Sequence, residues 1–282
     1  MVDLYGFGGT LAAGAWMTIK LALASLIFGL FLGLIGAGAK LSRFFLLRTI
    51  ADIGTTVVRG VPELVLVLAV YFGGTVVING LAAQIGYSGY IEINAFGAGV
   101  LAIGAAFGAY ATEVFRGAIL AIPKGQVEAA RALGMPSFLI FRRIVLPQVW
   151  RYALPSLGNL FLILQKNTAL VSVTGLSELM RNTIVAVGYT RKPFTFYLVA
   201  AFIYLSFTAI TMIGNQFLER WASRGVKEAL DMDFQLMLES LPKLLNGMLL
   251  TFKLVALSMI LGMILAIPLA LLRVSRLILL RG

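Results

Sequence analysis

Apolar residues gather in six long runs, near 15–39, 61–80, 95–121, 148–174, 194–218 and 244–272. Each is long enough to cross a bilayer, which takes about 20 residues of helix. In lipid each run must be helical, because an unpaired backbone amide or carbonyl costs several kcal/mol there. The pattern therefore predicts an all-α polytopic membrane protein.

Basic residues between the runs set the orientation. Segments 1–14 and 80–94 carry no Lys or Arg. Segment 40–60 carries Lys40, Arg43, Arg48 and Arg59, and segment 116–151 carries Arg116, Lys124, Arg131, Arg142, Arg143 and Arg151. Segment 175–193 has Arg181, Arg191 and Lys192, and segment 219–228 has Arg220, Arg224 and Lys227. Alternate segments thus total thirteen against three. Under the positive-inside rule the N-terminus lies outside and the long 122–147 loop is cytoplasmic.

Composition agrees. Hydrophobic residues make up 60% and charged residues 12% of the 282, with mean hydropathy +0.96; soluble domains carry about 25% charged residues. The chain has no Cys and no His, which removes zinc and iron–sulfur sites, cysteine nucleophiles and imidazole-based triads. No metal, cofactor or catalytic residue is expected. The net charge of +11 is spread over the flanks of the apolar runs rather than gathered in a patch, so it argues for membrane topology and against nucleic acid. The N-terminus, Met-Val-Asp-Leu, has no basic segment before the first apolar run, and no cleaved signal peptide is expected.

The tail repeats the start. Shifted by 233, residues 14–48 align with 247–281 with fourteen identities in thirty-five positions, among them Gly14/Gly247, Thr18/Thr251, Lys20/Lys253, Ser25/Ser258, Gly29/Gly262, Ser42/Ser275, Arg43/Arg276 and Arg48/Arg281. Composition alone would give shared Leu and Ala, not Thr, Lys, Ser and Arg in register. Five spans leave residue 228 in the cytoplasm. A sixth directly after it would put Arg273, Arg276 and Arg281 outside, against the charge rule. The expected division is 1–228 as one transmembrane domain and 229–282 as a tail that copies the first span, Met232 being a candidate start. Three readings of the tail stand: a natural sixth helix with weak topology signals, an unseen crossing within 229–243, or a join across a gene boundary.

The cytoplasmic loop carries the strongest local pattern, EAARALGMPSFLIFRRIVLP. Pro123 ends the preceding span, since it has no amide proton to continue a helix. Glu128 to Leu133 can form a short helix whose Ala129 and Ala130 allow close approach of a partner. Glu128 is placed near that helix's N-terminus, where a carboxylate is favoured. Gly134 can adopt the left-handed conformation that closes it, and Pro147 can open the next span. The result is a rigid knob between two membrane helices. An ordinary interfacial amphipathic helix would explain the alanines and arginines but not the full spacing of Glu128, Ala129, Ala130, Gly134, Ile144, Leu146 and Pro147.

That spacing closely resembles the ATPase-coupling motif of ABC importer permeases. RGVPELVLVLAVYFG at 59–73, GAYATEVFRGAI at 108–119 and QKNTALVSVTGLSEL at 165–179 are similar to the second, third and fourth spans of polar amino-acid permeases. YGFGGTL and LIGAGAKLS near the start resemble the histidine/lysine/arginine/ornithine subfamily, which includes opine permeases. The resemblance covers roughly 1–228, and the tail resembles the start of a second such permease. It implies a five-transmembrane-helix permease core with a cytoplasmic coupling helix, plus one extra C-terminal transmembrane helix, in a bacterial inner membrane. It also implies two ATP-binding subunits, a second permease in a homo- or heterodimer (adjacent genes suggest the latter), a periplasmic substrate-binding protein, and import of polar, basic amino acids or opines. No ATPase motif accompanies this: GAGAKLS at 36–42 lacks the Gly-Lys-Ser/Thr of a phosphate loop and ends a membrane helix. The rival class is a self-sufficient secondary transporter or channel, which usually carries ion sites in paired inverted repeats.

Polar groups inside the membrane are functional candidates. Gln165, Lys166 and Asn167 interrupt the fourth apolar run, with Thr168 and Ser172 on a possible shared face. They read equally as a substrate pathway or as helix–helix hydrogen bonds. Glu113 and Arg116 are spaced i,i+3, and Arg59 is expected at similar depth. An ion network near the cytoplasmic end is favoured over substrate contact. The fourth run has no acidic group near Asn167, and Glu63 is the only carboxylate early in the second.

Overall fold

The computed structural model describes residues 4–87, 89–222, 242 and 246–263. Residues 264–272 of the sixth apolar run, the tail half of the repeat beyond 263, Met232 and the flank charges Arg224, Lys227, Arg273, Arg276 and Arg281 lie outside them. The chain divides into two units, 1–224 and 225–282, each taken by itself.

The first unit contains α1 (Gly8–Lys40), α2 (Phe45–Gly60), α3 (Glu63–Gln84), α4 (Ala95–Leu120), α5 (Lys124–Ala132), α6 (Ser137–Thr174), α7 (Leu179–Thr190) and α8 (Pro193–Ala222). No strand occurs among the described residues. Helices α1, α3, α4 and α8 are each long and apolar enough to span a membrane; α6 and α7 qualify as a pair bent by 53°. This is the five-span core that the apolar runs predict. In the second unit, α9 (Asn246–Met263) also meets the length and hydropathy criteria of a span.

Three features depart from the sequence pattern. First, Pro147 stands in the first turn of the regular α segment Leu146–Asn167, as expected, but a short helix from Ser137 and a π turn run into it, so that α6 begins at Ser137 rather than near 148. A wide π turn at Phe141–Val145, in which the Leu146 amide reaches back to Phe141 O, carries the helix past a residue with no amide to give. Second, α2 occupies what reads as a basic flank. Leu46, Ile50, Ile53 and Val57 form an exposed apolar stripe at helical spacing, while Asp52 and Arg59 reach ion partners on α1 and α4. Third, α7 follows the bend after Gly175. Glu178 caps it, its carboxylate accepting from the amides of Met180 at 2.8 Å and Arg181 at 2.7 Å. That carboxylate is fully buried, with the Thr18 and Tyr204 hydroxyls each 3.4 Å away.

Helices α1 and α4 form the axis of the unit. A Cβ at Gly29 would lie 2.7 Å from the Gly104 carbonyl oxygen, and one at Gly108 would lie 3.0 Å from that of Gly29. Lipid tails offer no hydrophobic drive for helices to associate, so backbone approach of this kind supplies the contact. Leu21, Ile103, Phe107, Phe115, Leu157, Leu164 and Val171 pack around this axis. A smaller cluster of Leu11, Leu179, Ala186 and Phe196 joins the start of α1 to α7 and α8.

The repeat acquires a structural meaning here. Gly14, Thr18, Leu21, Ser25, Gly29 and Ala37, all identical in the tail, are all buried in α1. Their counterparts Gly247, Thr251, Leu254, Ser258 and Gly262 lie on α9; Ala270 lies outside the described residues.

Candidate coupling surface and translocation cavity

Helix α5 starts earlier than the motif suggests. Pro123 stands at its N-cap and the helix runs from Lys124, so Glu128 is mid-helix and gains little from the N-terminal dipole. At the other end, Gly134 takes φ +74°, its amide donates to Arg131 O at 2.9 Å, and the Met135 amide donates to Ala130 O at 3.1 Å. These two bonds make a Schellman closure, which needs a residue tolerant of the left-handed region. The Gln148 side-chain amide donates to Gln126 Oε1 at 2.7 Å and to Ile144 O at 2.8 Å, fastening α5 to α6.

The motif residues form a surface. Ala129, Ala130, Ile144 and Pro147 line one open groove of about 500 Å³ together with Leu133 and Arg143. Glu128 lines a neighbouring groove with Lys124 and Arg131. Leu146 is half-buried. Leu133 is 82% exposed and Phe138 73%, large apolar side chains set among Lys124, Arg131, Arg142 and Arg143. An apolar knob rimmed by charge, outside the spanning length of α4, is the chemistry of a protein-docking surface.

The five polar residues of α6 are separated rather than gathered. Gln165 is buried, accepting from Thr211 Oγ1 at 3.2 Å. Thr168 is fully buried and donates to the Gln165 carbonyl at 2.7 Å; Ser172 is buried too. Lys166 is exposed. Asn167 alone of the five lines a cavity of about 250 Å³, whose other polar members are Glu63 and Tyr110 and whose walls include Ile103, Phe107 and Leu164.

The ion network is larger than the sequence suggests. Glu113 accepts from Arg116 Nε at 3.0 Å and has Arg59 Nη1 at 3.8 Å, but its shortest partner is Lys40 Nζ at 2.5 Å, which also meets Asp52 at 2.9 Å. Lys40 is buried, and the cluster ties the end of α1 to α2 and α4. Arg59 also lies over the Tyr110 ring, 5.1 Å from its centroid. The parts played by Lys40 and Asp52 have no signature in the sequence, because a basic flank residue and its acid meet only once α2 folds back. Glu178 had none either, since Glu is not among the favoured N-cap residues. Glu63 joins Asn167 only through tertiary packing.

The family model described as "Binding-protein-dependent transport system inner membrane component" matches residues 25–224. Among similar proteins, the nopaline transport system permease protein NocQ of Agrobacterium fabrum is 48% identical over 79% of this chain and 94% of its own length. The histidine/lysine/arginine/ornithine transport system permease protein HisQ of Escherichia coli is 44% identical over 80% of this chain and 99% of its own. A crystal structure of an amino acid ABC transporter with histidines aligns at TM-score 0.66 and 33% identity, covering 78% of this chain and 99% of that one.

Proposed function

The chain belongs to the family of inner membrane components of binding-protein-dependent transport systems, and on that premise we propose that it builds one half of the translocation pathway of an ATP-driven importer of polar amino acids, basic ones or opines. The observation that carries this reading is the knob at α5, closed by Gly134 and fastened to α6, with Ala129, Ala130, Ile144 and Pro147 of the motif along one groove. A rigid cytoplasmic protrusion between two spans transmits force from a soluble partner, and it has no use in a transporter driven by an ion gradient alone. The substrate class follows the relatives, whose names specify nopaline and histidine, lysine, arginine and ornithine.

In this reading ATP is hydrolysed by separate ATP-binding subunits docked on α5, and a periplasmic binding protein delivers substrate from the opposite side. The thirteen-to-three charge imbalance supports a periplasmic N-terminus in the bacterial inner membrane. A second permease completes the pathway. The tail supports a heterodimer: it repeats six of the residues that α1 buries, Gly14, Thr18, Leu21, Ser25, Gly29 and Ala37, as the first span of a related permease would. In this reading the segment 229–282 resembles the first span of such a second permease rather than an extension of the five-span core.

The absence of cysteine makes the test direct. Leu133→Cys, at the exposed tip of the knob, is expected to cross-link to an ATP-binding subunit carrying single cysteines along its permease-facing surface. Cross-linking there should diminish when ATP is trapped and the subunits rearrange. Failure of every such pair to cross-link in an assembled complex would refute the docking role.

A further inference from the structure

A second crevice, of about 300 Å³, lies between α1, α6 and α8. Leu26 and Leu30 of α1, Leu154 and Phe161 of α6 and Leu218 of α8 form its walls. Gly214 leaves it room, since a Cβ there would meet nothing within 4 Å. Trp150 and Leu218 are exposed at its rim, so it opens on the outer surface of the helices. One polar side chain within it has no partner. Thr211 donates to Gln165 Oε1, but Asn215, a turn further along α8, makes no hydrogen bond among the described residues. Its side-chain amide lies over Gly158, where a Cβ would come within 2.6 Å of Nδ2. An unpaired amide in a spanning helix is costly and is a functional candidate.

The depth of Asn215 identifies what it meets. It precedes Arg220, the basic residue in the last turn of α8, by five positions, about 7.5 Å along the axis. The headgroup zone is about 5–8 Å deep on each side of a bilayer. With Arg220 among the headgroups, Asn215 stands at the hydrocarbon boundary, where the esters of a phospholipid lie. Trp150, on the opposite wall, is a residue type that favours the same depth. On the orientation proposed above, this is the cytoplasmic leaflet. We propose that the crevice holds one acyl chain of a phospholipid from that leaflet, with the Asn215 amide donating to its ester carbonyl. A helix with its side chains is about 10–12 Å across, so one turn fills roughly 400–600 Å³ and does not fit. A single acyl chain does. The amide is neutral and the walls are apolar, which suits an ester and a hydrocarbon chain rather than a charged ligand. The seated chain fills the gap between α6, which follows the knob, and its neighbours α1 and α8.

The test uses the full chain, assembled with its second permease and ATP-binding subunits in detergent micelles. Phosphatidylethanolamine with a diazirine on one acyl chain is the probe, and cross-linked peptides are mapped by mass spectrometry as its concentration rises. Labelling of 150–161 and 211–218 should saturate and be displaced by unlabelled phosphatidylethanolamine, whereas Phe202 and Leu205, exposed on α8, should label in proportion to probe. Gly214→Leu fills the crevice and should abolish the saturable labelling. Asn215→Leu should raise the half-saturating concentration by about two- to tenfold, the worth of one neutral hydrogen bond. A diazirine fatty alcohol, which has a chain but no ester, should bind wild type and Asn215→Leu alike. Proportional labelling of the crevice in wild type marks bulk lipid only and would overturn the proposal. Unchanged saturation in Gly214→Leu, or equal phospholipid binding by Asn215→Leu and wild type, would also overturn it. Absence of label from both peptides, the result if the second permease covers the crevice, would do the same.

Discussion

Replacing Gly134 perturbs the knob with little else changed. Its φ of +74° lies in the left-handed region, and nothing stands within 4 Å of where a Cβ would project. A Gly134→Ala change therefore meets no steric obstacle, and its cost is the backbone strain of an L-residue there, about 1–2 kcal/mol. That is a factor of about 5–30 in the ratio of closed to open α5 termini. Gly134→Asn should cost less, since Asn is the usual substitute for Gly at a left-handed helix end. Gly134→Asp adds a carboxylate at the negative end of α5 and buries it against the docking partner, a heavier cost than strain alone. All three variants should insert normally, because α5 lies outside the spanning helices. ATP-driven uptake in proteoliposomes should fall in the order wild type, Asn, Ala, Asp, with Asp inactive. If Ala and Asp both transport at the wild-type rate, the closure of α5 does not carry coupling and the reasoning fails.

The ion network should divide sharply by burial. Lys40→Met strips two carboxylates of a buried partner and should cost about 1.5–3 kcal/mol, whereas Arg116→Ala, at a side chain 42% exposed, should cost about 0–1 kcal/mol; thermal unfolding of the purified protein in detergent would read equal midpoints if burial does not matter. Tyr87→Cys and Lys124→Cys, each the only cysteine in its chain, should react with an impermeant thiol reagent from opposite sides of the membrane; labelling of both from the periplasm would contradict the five-span topology. A chain ending at Lys227, co-expressed with an intact second permease, ATP-binding subunits and binding protein, should transport as well as the 282-residue chain; if truncation abolishes assembly while the long chain alone forms a working transporter, the tail is a true sixth helix.

The spans were legible because lipid admits only long apolar helices, so run length alone identified α1, α3, α4 and α8. It found the regular part of α6, which does carry Pro147 in its first turn, but not the short helix and π turn before it, since nothing local announces them. It passed over α2, whose Arg48, Asp52 and Arg59 look like a loop until the Leu46–Ile50–Ile53–Val57 stripe is set on a helix. The knob was legible in outline: Pro123 and Gly134 bound it, and Gly134 takes the left-handed turn its position demanded. Asn167 was singled out by its polarity within an apolar run, but so were Gln165, Thr168 and Ser172, which turn into the protein interior. Polarity marks a residue as unusual in a membrane, and only packing decides whether it faces a cavity or another helix. Glu63 and Asn167 are more than a hundred positions apart, and α4 has to fold between them before they share one cavity.

The central claim is that ATP hydrolysed by partner subunits drives this chain through α5. It is tested most directly by accumulation of labelled L-arginine in liposomes that hold the full chain, its second permease and the ATP-binding subunits, with binding protein outside. Accumulation should require both enclosed ATP and the binding protein, and should survive collapse of the proton and sodium gradients. Accumulation driven by either gradient without ATP or binding protein would contradict the account.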